Sequence, residues 1–290
     1  MRIFAKARAK LNLTLSVKGR RLDGYHEISS LVAFAGVSDG LCLQPARELS
    51  LTVSGASAEA AGQGEDNLVL VAARHFSAQY PQAQLGQFHL FKQLPVAAGV
   101  GGGSADAAAA LRLLAQANGM KPDCGPMLAL AALIGADVPV CLASRARHMA
   151  GIGEQLGPPM VMPQFYVVLV NPGVKLETRA VFSAMGLAPG QSSFACAEPP
   201  IRDGMDAAQW LAALRRSGND MEDAAASLAP VIVSVLAVLA GARGCRLARM
   251  SGSGATCFGL FENRRDAMTA AMTIKTYHPA WWVKASLLRG

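Results

Sequence analysis

No apolar run in this 290-residue chain reaches the ~18 residues that a membrane-spanning helix requires. The longest, Leu228 to Ala242, is broken by Pro230 and small residues and reads as a buried helix. Cysteine is sparse and scattered: Cys42, Cys124, Cys141, Cys196, Cys245 and Cys257 show no metal-ligand or redox spacing, so they read mostly as small apolar residues. Five histidines are equally dispersed, and no transition-metal site can be assembled from them on paper. The chain lacks internal repeats, long low-complexity linkers and any stripe of interleaved basic and aromatic residues. Nucleic acid is therefore not the expected partner, although the net charge of +7 suits an anionic ligand. The N-terminus, MRIFAKARAKLNL, is positive, but Lys6, Arg8 and Lys10 interrupt what would be the apolar core of a secretion signal. The chain reads as cytoplasmic.

What is present is ample core material, 52% hydrophobic against 16% charged residues, in a length that fits two domains. Leu11, Leu13, Leu15 and Val17 alternate with Lys10, Asn12, Thr14 and Ser16, the period of a strand with one polar face. A second strand is expected over Ile28–Phe34, and a helix over Asp66–Tyr80 capped by Asp66 or Asn67. Helices follow at Ala105–Ala117 and Pro126–Ile134. Beyond Gly135, Pro139 biases Val138 away from helical geometry, so Asp137-Val138-Pro139 reads as extended. Composition turns to glycine and proline over Gly151–Pro163, which places a domain boundary there: residues 1–155 and 156–290. The second half reads as a strand from Phe165, a helix at Arg179–Met185 and a loop from Gly186 to Gly204. Helical regions at Ala207–Arg216 and Asp220–Ala242 come next, then a strand, a helix and a terminal strand. The fold class is α+β.

The segment PVAAGVGGGSADAAAAL, from Pro95 to Leu111, concentrates the chemistry. Gly99, Gly101, Gly102 and Gly103 fall within five residues, follow a strand-like stretch and lead through Ser104 into an alanine-rich helix. Strand, glycine loop and helix start form a phosphate cradle. Glycine allows positive φ and close approach, and the free amides and dipole of the helix end attract an anion. A Walker A loop would place Lys-Ser or Lys-Thr after the last glycine, and Ser104-Ala105-Asp106 does not. A dinucleotide loop would place an acid at a strand end ~20 residues on, where Asn118–Asp123 reads as a loop between helices.

This segment resembles the phosphate loop of the GHMP kinases, with Val100 where that family usually has leucine. Further blocks narrow the resemblance to one branch of the family: AKLNL and RRLDGYHE near the N-terminus, IGADVPV from Ile134, and GIGE from Gly151. NPGVKLET from Asn171, NDME from Asn219 and MSGSGATCFGLF from Met250 complete the set. Members of that branch phosphorylate cytidine diphosphate methylerythritol in the non-mevalonate isoprenoid precursor pathway. The resemblance implies a two-domain fold with an active-site cleft between the domains, ATP as co-substrate and Mg²⁺ on its phosphates.

Roles carry over residue by residue. Asp137 matches the base that takes the acceptor's proton and Lys10 its partner, a pairing that rests on the resemblance alone. Pro95, Gly99, Gly101, Gly102, Gly103 and Ser104 match the ATP phosphate site, with Asn67 near adenine. Asn12, Tyr25 and His26 match substrate contacts, the last two recognising the cytosine ring. Phe182 matches the aromatic on the ring's other side and Thr178 a polar contact near the diphosphate, with Glu177 where the family more often has a small residue or proline. Ser251, Gly252, Ser253 and Gly254 match a third glycine motif that supports the phosphate loop. Asp106, at the start of the helix, reads as complementing its dipole. The expected partners are ATP and the small-molecule acceptor, with a monomer or weak homodimer and neither nucleic acid nor membrane. The alternatives are another GHMP kinase acting on a smaller alcohol, or a non-catalytic nucleotide or nucleic-acid binding protein.

Overall fold

The computed structural model describes residues 1–122, 124–193 and 200–289. Along the chain run β1 (Ile3–Asn12), β2 (Ser16–Arg20), β3 (His26–Pro45), β4 (Ser50–Ser54), the single turn α1 (Ala58–Ala61), α2 (Leu68–Gln79) and β5 (Gly86–Phe91). Then come α3 (Gly102–Ala117), α4 (Gly125–Ile134), α5 (Val138–Ala143), β6 (Arg147–Gly151), β7 (Gln155–Leu156) and β8 (Phe165–Asn171). The remainder holds α6 (Thr178–Ala184), α7 (Ala207–Arg215), α8 (Glu222–Leu228), α9 (Val231–Gly241), β9 (Cys245–Met250), β10 (Cys257–Phe261), α10 (Arg264–Tyr277) and β11 (Trp282–Arg289). Strands and helices mix throughout, the expected α+β class. No helix among the described residues is long and apolar enough to cross a membrane.

Contacts group the chain into two compact units that are not consecutive stretches. One comprises Met1–Lys10, Ser38–Val96 and Gly101–Ser144; the other comprises Leu11–Val37, Ala97–Val100 and the described residues from Arg145 onward. This grouping differs from the contiguous 155/156 division read from composition, because residues 11–37 and 97–100 belong with the second half.

In the first unit β4 lies parallel to β5, and β5 pairs antiparallel with Gly40–Pro45 of β3. Phe88 and Leu90 of β5 point inward while Gln87, His89 and Phe91 alternate outward. Helix α3 buries Ala105 and every residue from Ala107 to Leu111. Alanine favours the helix and lets neighbouring backbones approach closely, and α3 packs against α2 and α5. The extended geometry expected at Asp137–Pro139 is not found, because Val138–Ala143 is helical with Pro139 in its first turn. Proline is accepted there since first-turn N–H groups have no intrahelical partner.

In the second unit β3 pairs with β2 and β6 through its first half and with β11 at Phe34 and Ala35. The order β11-β8-β10-β9 continues antiparallel. Leu15 and Val17 share a core with Val168, Val170, Met221 and Ile232. The alternation at residues 10–17 does not mark a solvent face: Lys10, Asn12, Thr14 and Ser16 are as buried as the leucines between them. Thr14 and Asn12 hold hydrogen bonds to Leu31 and Ser30 instead. The helix expected over Asp220–Ala242 is two, α8 and α9, divided at Ala229-Pro230 where proline cannot continue the hydrogen-bond ladder. Part of the loop expected from Gly186 to Gly204, together with Cys196, lies outside the described residues.

Candidate active site

Lys10 and Asp137, 127 residues apart in sequence, form an ion pair inside the first unit, Lys10 Nζ lying 2.7 Å from Asp137 Oδ2. Lys10 sits on β1 with its side chain only 5% exposed, whereas Asp137 is 34% exposed. The carboxylate therefore keeps an open face while its partner is held from behind. Asp137 immediately precedes α5, yet its side chain does not cap that helix; it is committed to Lys10 instead. One turn further on, Cys141 is buried, and its thiol is pushed up to about 12 by burial and by the nearby Asp137 carboxylate. That thiol is a neutral wall rather than a nucleophile.

The glycine loop alternates its backbone hand. Ala97, Gly99 and Gly101 have φ of 51°, 72° and 60°. Residues of alternating hand are what backbone anion nests are generally built from. Gly101 accepts the first helical bond from Ala105, 2.8 Å, so α3 begins at Gly102 with Gly103 and Ser104 in its opening turn. A Cβ at Gly101 would lie 3.3 Å from Lys10 Cβ and 3.4 Å from Lys10 Cε. The absence of a side chain there seats the loop directly on the Lys10 stem. Pro95 and Val96 lead into the loop from the first unit.

Asp106 is not in the first turn, and its role differs from dipole complementation. It is 3% exposed and pairs with the buried Lys92, which also pairs with Asp39. Asn67 caps α2 through Oδ1, which accepts from Val69 N at 3.0 Å, while its amide donates to Gly62 O.

In the second unit the Ser251–Gly254 motif is buried and thoroughly braced. Ser251 Oγ donates to Gly99 O at 2.9 Å and accepts from Asn12 N at 3.2 Å. A Cβ at Gly99 would collide with the backbone of Ser251 and Gly254. Asn219 Nδ2 donates to Met250 O and Gly252 O at 2.9 and 2.8 Å, and Glu222 accepts from Met250 N. Asn12 Oδ1 is buried without a partner among the described residues. Thr178 and Ser253 hydroxyls are 2.8 Å apart.

The His26 ring stacks on Phe182 with centroids 4.2 Å apart and planes 12° from parallel. Burial and the Arg20 charge hold the imidazole below its ordinary pKa, and its buried Nε2 has no partner among the described residues. A neutral ring with one open nitrogen is suited to a polar heterocycle edge. Tyr25 is 60% exposed, its backbone turned by a 3.1 Å bond to Asp23 Oδ1.

The structure thus brings Lys10, Asp137 and Gly101 together, and separately groups Gly99, Asn12, Ser251, Gly252, Ser253 and Thr178. His26 meets Phe182, while Asn67 is engaged locally. The bracing roles of Asn219 and Glu222 and the Lys92 cluster were not readable in advance. NDME was visible as a block, but nothing in it names the carbonyls it holds.

The family model for the GHMP kinases N terminal domain matches residues 67–145, and that for GHMP kinases C terminal matches residues 197–278. A relative from Methylobacterium radiotolerans, named 4-diphosphocytidyl-2-C-methyl-D-erythritol kinase, is 53% identical over 285 residues, spanning 98% of each chain. A crystal structure of 4-(cytidine 5'-diphospho)-2C-methyl-D-erythritol kinase is 31% identical with a TM-score of 0.75, covering 99% of this chain and 100% of that one. A homoserine kinase from Cytophaga hutchinsonii is similar in fold, with a TM-score of 0.71 at 18% identity over 98% of this chain and 94% of that one.

Proposed function

The chain belongs to the GHMP kinase family of ATP-dependent phosphotransferases, and from that premise we propose how its own residues carry the reaction. It phosphorylates 4-diphosphocytidyl-2-C-methyl-D-erythritol, a step of isoprenoid precursor synthesis. The 2-hydroxyl of the acceptor attacks the γ-phosphorus of ATP. Asp137 takes the hydroxyl proton, the new O–P bond forms, and the bond to the β-phosphate oxygen breaks to release ADP. Lys10 holds the Asp137 carboxylate in place through their ion pair and stabilises the developing alkoxide. The observation that supports this assignment is the 2.7 Å Lys10–Asp137 pair, with Gly101 of the phosphate loop seated on the same lysine.

Gly99–Ser104 and the start of α3 hold the phosphates through backbone amides, which answers the missing loop lysine. Pro95 leads the loop in, and Asn67 lies at the adenine end. Asn12, with its unpartnered buried Oδ1, accepts a hydrogen bond from the acceptor. Tyr25, His26 and Phe182 receive the cytosine ring, and Thr178 contacts the diphosphate. Ser251–Gly254 supports the loop through the Ser251–Gly99 bond.

Among the described residues no three His, Cys, Asp or Glu converge as metal ligands. Mg²⁺ takes most of its ligands from nucleotide phosphates and water, so the residues present fit an ion carried in on ATP. Asp137, with one oxygen unused by Lys10, is the residue that would reach it through water. The ion would supply charge neutralisation on the phosphates. We place the functional division at 155/156, which the two family matches flank, and the working state as a cytoplasmic monomer or weak homodimer.

The test is ADP release with Mg-ATP and each of 4-diphosphocytidyl-2-C-methyl-D-erythritol, homoserine, mevalonate and galactose. Turnover restricted to the cytidine compound is expected. Turnover with a control alone keeps the family and moves the acceptor, and ATP binding without any turnover overturns the catalytic reading.

A further inference from the structure

A buried cation lies beneath the phosphate loop, within the first unit. Lys92, just after β5, is 2% exposed, and its Nζ is 2.6 Å from Asp39 Oδ2 and 2.5 Å from Asp106 Oδ2. Asp39 is fully buried, and its other oxygen accepts from Gln93 N at 2.5 Å and Leu94 N at 2.8 Å. A Cβ added at Gly102 would stand 3.2 Å from Lys92 Nζ. The ammonium therefore sits against the first residue of α3, where the loop's amides begin. Phosphate loops of the Walker type carry their lysine in the loop; here the loop has none.

We propose that Lys92 is a positioning residue for the phosphate site, a cation held under the helix start by Asp39 and Asp106 rather than projecting from the loop. The inference rests on the reading of Gly99–Ser104 as the ATP phosphate site. Its charge balance makes it testable. Burial opposes the Lys92 charge, but Asp106 and Asp39 together hold the ammonium above the usual lysine range. One lysine cannot satisfy two buried carboxylates equally. Asp106 Oδ1 has no partner among the described residues, and burial, reinforced by Asp39, raises Asp106 to about 7 despite Lys92.

With both carboxylates ionised the cluster has one net negative charge beneath an anion seat; with Asp106 protonated it has none. Lys92 and Asp39 are the charged groups facing Asp106. The buried side chains of α2 and α4 are apolar, and Cys141 on α5 is a neutral thiol. ATP binding thus draws on the protonated form.

Asp106→Asn keeps the shape and removes the titration. Measured in the same buffers so that the nucleotide's own titration cancels, its KM for ATP should fall ~3-fold or more below wild type at pH 8. The two should converge at pH 6, with kcat little changed. Lys92→Met combined with Asp106→Leu removes the cation and leaves Asp39 its two backbone donors. If it folds, as judged by circular dichroism and Tm, its KM for ATP at pH 6, where wild-type Asp106 is protonated, should rise ~3-fold or more while the acceptor KM holds. An Asp106→Asn profile parallel to wild type from pH 6 to 8, or a folded double variant with unchanged KM for ATP, overturns the proposal. If the double variant does not fold, the Asp106→Asn profile decides alone. Ser104→Ala separates the underlying reading: if it raises KM for ATP and the cluster variants do not move it, only the Lys92 role fails. If none of them moves it, the phosphate-site reading fails as well.

Discussion

Lys10 donates to Asp137 across 2.7 Å, from a side chain that is nearly sealed to a carboxylate that is one-third open. That asymmetry orders the two roles. In the proposed mechanism the buried partner holds the carboxylate in place, and the accessible partner is the one open to the acceptor.

Replacing Asp137 by asparagine keeps the hydrogen-bonding shape but removes the proton acceptor. Turnover should fall ~10³-fold or more, the range of a lost general base, while ATP affinity measured by calorimetry stays within ~2-fold of wild type. Weakened ATP affinity with turnover preserved would remove Asp137 from the chemistry.

His26→Ala removes the ring stacked on Phe182 and the open nitrogen beside it. The acceptor KM should rise ~10-fold or more, the scale of one aromatic stack plus one hydrogen bond, with KM for ATP unchanged. Because burial and Arg20 hold the imidazole below its ordinary pKa, the acceptor KM of the wild type should be flat from pH 7 to 8. A change confined to ATP would place His26 on the wrong substrate.

Asn219→Ala strips two buried carbonyls, those of Met250 and Gly252, of a shared donor. Unpartnered buried acceptors cost ~1–3 kcal/mol each, so urea unfolding should show a loss of ~2 kcal/mol or more. A loss under ~0.5 kcal/mol would mean that the glycine motif does not depend on this brace.

Asp106 also links stability to pH. Its folded-state pKa, raised to about 7, lies above the ordinary carboxylate value, so between the two the folded chain holds a proton that the unfolded chain releases. Wild-type stability relative to Asp106→Asn should therefore decline as pH rises from ~4 to ~7 and level off above. Unfolding curves for both proteins at pH 5 and pH 8 check this. An advantage of the asparagine variant that does not grow with pH would contradict it.

The glycine loop, the Asn67 cap and most helices were legible because each depends on neighbours in sequence. Asp137 was legible only as a member of a familiar block, since its partner is 127 residues away and lysines in strands usually face water. Lys92 was not legible at all: it ends an alternating strand as a surface lysine would, and its partners lie 53 and 14 residues off. At Asp137–Pro139 a rule about the residue before proline gave way to the tolerance of helix first turns for proline. At Pro230 the same residue ended one helix and began the next: α8 stops at Leu228, and Pro230 stands as the N-cap of α9.

The interleaving of the two units has a consequence for how the chain is made. Residues 11–37 leave the ribosome early, yet the residues they pack with, such as Val168, Met221 and Ile232, are translated far later. Leu15 and Val17 must wait through more than half of synthesis for their core, so the nascent chain cannot complete one unit before beginning the other. A stop codon placed after Ser144 would thus leave residues 11–37 without the core they share with Val168, Met221 and Ile232, although every residue of the first unit would already be made.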